Sequence, residues 1–180
     1  MKKPGFFRRN MWGLLGLLPA IAAFTVVALD RTDFYGQQIN GQPKAGVSAA
    51  PAEWVSYSKA RLRLVNMAAT TDLYDTAGKP LKMPADLKTW RAVIEIQVDN
   101  QKDLADCEIS LEDSEGRLFG TRPYELANLK MPTPTCTAED TALNAYQVTV
   151  FFIAPADAKP VAVRVVRAAA LPGYARLVGA

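Results

Sequence analysis

Few side chains in this sequence could do covalent chemistry. Ser56-Tyr57-Ser58-Lys59 matches S-x-x-K, a spacing in which lysine can activate a serine nucleophile without an imidazole. A histidine count of 0 excludes Ser-His-Asp and Cys-His nucleophiles, HExxH zinc sites and His-ligated metals. No Ser-Asp-Asn or Lys-Thr-Gly element follows the S-x-x-K match, so it reads as a polar strand start rather than a hydrolase motif. Acids are dense in Asp99, Asp103, Asp106, Glu108, Glu112, Asp113 and Glu115, and such oxygen ligands can bind calcium. Their spacing is not that of an EF-hand. Strand alternation sends Glu108 and Glu112 to a solvent face and leaves Asp113 and Glu115 in a turn, so a solvated acidic edge is expected, with a weak cation site as the alternative. Trp54, Tyr57, Trp90 and Tyr146 could line a carbohydrate or peptide groove, although aromatics beside strands are more often core or cross-strand partners. Gly-rich phosphate loops are absent, and no cofactor, metal or catalytic residue is expected.

The elements that must position these residues read as strands. In Arg91 to Asp99, RAVIEIQVD, Ile94, Ile96 and Val98 fall on one face and Glu95, Gln97 and Asp99 on the other. Arg61-Leu62-Arg63-Leu64-Val65 alternates likewise. Cys107, Ile109 and Leu111 alternate with Glu108, Ser110 and Glu112, and the turn Asp113-Ser114-Glu115-Gly116 returns the chain into Arg117-Leu118-Phe119 as a hairpin. Tyr146 to Ile153 and Val161 to Val166 supply two more strands, separated by Pro155 and Pro160. A short hairpin is expected around Asp75-Thr76-Ala77-Gly78. The fold class expected is all-β, an antiparallel immunoglobulin-like β-sandwich preceded by one N-terminal transmembrane helix, with a small barrel as the alternative.

The charge balance assigns the two parts to different surroundings. The chain has 180 residues, 49% hydrophobic, with a formal charge of +3. Lys2, Lys3, Arg8 and Arg9 precede an acid-free stretch, so residues 30–180 hold 17 basic and 18 acidic side chains. A nearly neutral body without a basic stripe argues against nucleic acid. The 19 residues from Met11 to Leu29 carry no charge and extend about 28 Å as a helix, close to the roughly 30 Å hydrocarbon core. Trp12 on one side and Phe34 and Tyr35 on the other match interfacial aromatics, while Pro19 would kink the helix. Basic residues on the amino-terminal side place that end in the cytoplasm and the rest outside. The expected organisation is a basic cytoplasmic tail over 1–10, a transmembrane helix over 11–29, a juxtamembrane stalk over 30–52 and an extracytoplasmic domain over 53–180. The alternative is a secretory signal cleaved after Ala20-Ile21-Ala22; the apolar run past that site favours retention.

Export bears on the cysteines. Cys107 sits at an inward strand position and Cys136 in the loop Met131-Pro-Thr-Pro-Thr-Cys136. In an oxidising compartment the two are expected to form a structural disulfide, the alternative being two separate buried thiols.

Three stretches, LYDTAGKPLKMP from Leu73, WRAVIEIQVDNQKDLADCEISLEDSEGRLF from Trp90 and AYQVTVFFIAPADAKP from Ala145, resemble a known family. It is the telokin-like, immunoglobulin-fold extracytoplasmic domains of unknown function found on membrane-anchored proteins of Gram-positive bacteria. Its features here are the strand ending in Asp99-Asn100, the D-x-x-G-R turn from Asp113 to Arg117 and the A-P-A-D segment from Ala154 to Asp157. The opening RRNMWGLLGLLPA is similar to the start of small single-pass actinobacterial proteins. The resemblance implies an interaction or accessory module of the cell envelope, sometimes associated with an ABC-type transporter, and carries over no catalytic residue. The expected function is therefore non-catalytic: a membrane-anchored module binding an envelope protein, with a small-ligand or cation sensor as the alternative. The Thr121 to Cys136 connection and the exposed strand edges are the expected contact regions.

Overall fold

The computed structural model describes residue 17 and residues 42–71, 73–74, 77–80, 82–121 and 135–179. The expected cytoplasmic tail, the transmembrane helix apart from residue 17, and the stalk up to residue 41 lie outside the described residues, as does most of the Thr121 to Cys136 connection. Among the described residues no helix is long and apolar enough to cross a membrane. The chain divides into residues 1–41 and a compact unit over 42–180, and the fold below is that of the second.

Among the described residues the strands are β1 (Ala45–Ser48), β2 (Val55–Tyr57), β3 (Ala60–Thr70), β4 (Leu87–Val98), β5 (Cys107–Asp113), β6 (Leu118–Gly120), β7 (Ala145–Pro155), β8 (Pro160–Arg167) and β9 (Gly173–Val178). They form two sheets, ordered β2-β3-β4-β7 and β1-β9-β8-β5-β6. The sheets form an all-β sandwich because each long strand buries alternate side chains, the period of an extended chain. Leu62 and Leu64 of β3, Ile94 and Ile96 of β4, and Val150 and Phe152 of β7 join one cluster with Ile109 and Leu111 of β5, Val163 and Val165 of β8, and Ala175 and Leu177 of β9. Among the described strands the chain changes sheets between β1 and β2, β4 and β5, β6 and β7, and β7 and β8, while β4 pairs with β7 and β5 with β8.

Two expectations need correction. Residues 45–48, expected within the stalk, form β1 and run parallel to β9, so the sandwich is not wholly antiparallel. All four residues of β1 are exposed, which removes the alternating signature and hides the strand from a reading of hydrophobic period. Its register is fixed by a close approach: a Cβ on Gly46 would sit 2.7 Å from the Tyr174 ring. The Ala77–Gly78 turn matches expectation in part, with an isolated antiparallel bridge joining Tyr74 to Pro80.

The loop before β7 is held from three directions. Cys107 and Cys136 form a disulfide with 6.1 Å between Cα atoms. The buried Gln101 amide donates to the Asp140 and Leu143 carbonyls, and its Oε1 accepts from the Ala138 N–H at 2.8 Å. The Tyr146 hydroxyl donates to the Cys136 carbonyl at 2.7 Å, and burial pushes its pKa up to about 12, so it remains a donor at ordinary pH.

Reduction of the disulfide, or Cys107→Ser with Cys136→Ser, should lower stability by about 3–4 kcal/mol, the loop-closure value for a span of this length. Denaturant unfolding of the oxidised and double-serine proteins measures this difference.

Candidate interaction surface

Ser58 and Lys59 form the two-residue connection between β2 and β3, and both lie at positive φ, 49° and 60°. That is the geometry of a type I′ hairpin turn, normally filled by Asn-Gly. L-residues are disfavoured in this region, and the turn is held by outside contacts. Ser58 Oγ donates to the Asp103 carbonyl at 2.9 Å and accepts from Arg167 Nη1 at 3.3 Å. Lys59 Nζ lies 3.6 Å from Asp103. The Tyr57 hydroxyl, projecting inward from β2, donates to the Gly173 carbonyl and accepts from the Arg167 N–H at 2.9 Å. Burial raises the Tyr57 pKa, against the opposing effects of the Arg167 N–H and its charge.

This turn, the end of β4 and the start of β7 enclose an open groove of about 610 Å³ whose lining includes Ser56, Lys59, Arg61, Gln97, Asp99 and Asn144. On the same outer face of the β2-β3-β4-β7 sheet, the Trp54 ring lies 5.0 Å from the Arg61 guanidinium carbon and 4.7 Å from that of Arg63, within cation–π range. Arg63 is neutralised by Glu95, at 2.6 Å. Arg61 contacts only Gln97 Oε1 among hydrogen-bonding groups of the described residues, at 3.4 Å. The surface thus presents an indole, the Arg61 guanidinium with no carboxylate partner of its own, the charged side chains of Lys59 and Asp99, and the neutral polar groups of Ser56, Gln97 and Asn144. It is suited to binding and lacks an activated nucleophile: Ser56 is exposed on β2, and Lys59 lies at the turn beside Asp103.

The acidic run is dispersed instead of forming an edge. Glu112 does project from the outer face of its sheet, as alternation requires, but it is buried, not solvated. Arg164 reaches it from β8 at 2.5 Å and Arg176 from β9 at 3.1 Å, and together they cover it. Burial raises its pKa, but the hydrogen bonds and charges of the two arginines outweigh burial and hold it below the ordinary 4.5. Asp113, expected as an exposed turn residue, is also buried. It accepts from the Glu115 and Arg117 N–H groups and from Arg117 Nε at 2.7 Å. Here too burial acts upward, and the bonds from Arg117 and Glu115 prevail to lower the pKa. Asp103 faces Lys59, and Glu115 faces Arg117 at 3.4 Å. Among the described residues no three potential ligands gather into a metal site.

The four aromatics do not share a groove. Tyr57 and Tyr146 are core residues tied by their hydroxyls, Trp54 lies on the outer face, and Trp90 pairs with Phe152 toward the other end of β4. Arg61, Arg63, Glu95 and Gln97 were readable only as the wet sides of two strands. Their juxtaposition follows from the β3–β4 register, which sets Arg61 opposite Gln97 and Arg63 opposite Glu95.

No protein-family model matches the chain, and no curated protein matches it. Among solved structures, an uncharacterized β-sandwich protein of Clostridium difficile 630 aligns over 74% of this chain and 95% of that one, with 13% identity and a TM-score of 0.42.

Two outcomes test this geometry. Lys59→Val should cost about 1–2 kcal/mol because a side chain branched at Cβ is forced into the left-handed region, while Lys59→Gly should not destabilise. Thermal unfolding of both variants reads this out. Because the folded Glu112 pKa is depressed, its contribution to stability is complete above pH 4.5 and is lost as pH falls through the folded value. The melting-temperature gap between wild type and Glu112→Gln should therefore be constant near neutrality and shrink below pH 4.5.

Proposed function

We propose that this chain is a non-catalytic, membrane-anchored module of the bacterial cell envelope. Residues 11–29 anchor it as a single span, the amino terminus lies in the cytoplasm, and the sandwich lies outside. There it binds an envelope protein, with transporter components as one class of partner. The disulfide supports an oxidising compartment. The sheet changes that set β4 beside β7 and β5 beside β8 support an immunoglobulin-like, telokin-like reading of the sandwich. The observation that carries the binding role is the Trp54–Arg61–Arg63 face beside the open groove. Tryptophan and arginine are the residues most enriched where binding energy concentrates. The unneutralised Arg61 suits a partner segment bearing a carboxylate.

An alkaline phosphatase fused after Ala180 should be active outside the cytoplasm. A photocrosslinker at Ser56 should capture a discrete envelope protein in native membranes, and one at Glu108 on the opposite sheet should not. Trp54→Ala with Arg61→Ala should abolish the Ser56 adduct without changing the fold. A fusion active only in the cytosol overturns the topology, and equal adducts from Ser56 and Glu108 overturn the surface assignment.

A further inference from the structure

The edges of the two sheets differ in how they are protected. A sheet edge presents unpaired N–H and C=O groups to any strand that can align with them, and short length, bulges, prolines and charges are the usual guards. Among the described strands, β1, β2 and β6 are edges of only three or four residues. Past the end of β2, the uncovered part of β3 is broken by the bulge between Leu64 and Asn66. β7 has none of these guards before its last residue, Pro155. It forms the far edge of the β2-β3-β4-β7 sheet over 11 residues, pairs with β4 without a register shift, and carries no charged side chain.

Which groups face the open side follows from the bonds at either end of β7. The Val98 N–H donates to the Asn144 carbonyl at 2.9 Å, and the Ala156 N–H to the Asp86 carbonyl at 2.8 Å. Antiparallel bonding alternates along a strand, so the even-numbered residues between them bond to β4, and the N–H and C=O groups of Gln147, Thr149, Phe151 and Ile153 point away from it. Among the described residues no loop or side chain bonds to those groups. The four side chains lie on the outer face, exposed or half-buried, while Tyr146, Val148, Val150 and Phe152 fill the core. β7 is itself a fitting partner for this edge. Turned antiparallel about a twofold axis, two copies overlap along the whole strand when Val150 faces Val150. Thr149 then lies opposite Phe151 and Gln147 opposite Ile153, so outward-pointing groups meet their like, core-facing residues stay core-facing, and no like charges come together. An uncharged edge offers a foreign strand no charge to recognise, whereas its own copy needs none.

We propose that β7 pairs with β7 of a second copy of this chain, joining the two four-stranded sheets edge to edge. The full chain in detergent micelles should be mixed from unlabelled and isotope-labelled copies carrying a photocrosslinker at Thr149. Mixed-isotope adducts should form and map to residues 149–153 of the second copy. Gln147→Lys with Ile153→Lys sets two lysines face to face at each of two cross-strand pairs, whereas Gln147→Glu with Ile153→Lys sets opposite charges there. The first combination should give about tenfold fewer mixed adducts than the second. Within one copy the preference is the reverse, because residue 147 lies opposite Glu95, so a difference in that direction belongs to the pairing and not to the fold. The adduct map of the otherwise unaltered chain tests the site even where a double variant fails to fold. Adducts confined to single copies, adducts between copies that map outside β7, or adducts indifferent to the charge combination overturn the proposal.

Discussion

The Tyr57 hydroxyl, placed between the Gly173 carbonyl and the Arg167 N–H, is the contact on which the groove end of the molecule depends. β2 is only three residues long and lies at a sheet edge. Short edge strands have little ladder to hold them, and this one leads into a turn that L-residues disfavour. The hydroxyl ties β2 to the opposite sheet. The side chain of Arg167 extends the same link to Ser58 Oγ and to the Ala105 and Lys102 carbonyls. Remove the phenol oxygen, and the arginine loses the backbone anchor that positions its guanidinium under the turn. The groove geometry is thus set from the β1-β9-β8-β5-β6 sheet, although the groove itself opens on the other.

The two outer faces of the sandwich use arginine in opposite ways. On the β1-β9-β8-β5-β6 sheet, Arg164 and Arg176 converge on the buried Glu112, and Tyr174 lies against Arg164 at 4.8 Å. Cations there are consumed by an internal carboxylate, with little left for a partner. On the other sheet Arg63 is neutralised by Glu95, whereas Arg61 keeps its charge against an indole and one long amide contact. A cation with few internal partners costs less to engage from outside, since fewer protein bonds must be broken first.

The long strands were legible because each buries one face and wets the other. The structure returns Arg91 to Val98, one residue short of the expected Asp99, together with Tyr146 to Ile153 and Val161 to Val166 as the cores of β4, β7 and β8, with the other ends extended by pairing. The hairpin from Cys107 through Asp113 to Phe119 was legible from its turn residues. What escaped lacks such signals. β1 is exposed at every position, β9 alternates only partly buried residues with buried alanine and leucine, and the β2–β3 turn uses Ser-Lys where Asn-Gly would have announced it. For the acids, alternation gave the direction of Glu112 correctly and its environment wrongly. Periodicity specifies which face a side chain takes, whereas the arginines that cover it come from β8 and β9, more than fifty residues away in sequence.

The same limit explains why the candidate surface had to be found in the structure. Ser56 belongs to β2, Arg61 to β3, Gln97 to β4 and Asn144 to the approach to β7, with Trp54 beside them in the segment before β2, so the groove is a product of three chain reversals and one return from the opposite sheet. No short motif can encode it. Ser56 and Lys59, the pair that did form a motif, lie on that groove as parts of a strand and its turn. Their three-residue spacing would place a lysine one turn beyond a serine on a helix; here it reflects a strand that reverses in two residues, with the lysine set at the bend beside Asp103. Backbone context thus converts a sequence that elsewhere supports acyl transfer into the rim of an open groove.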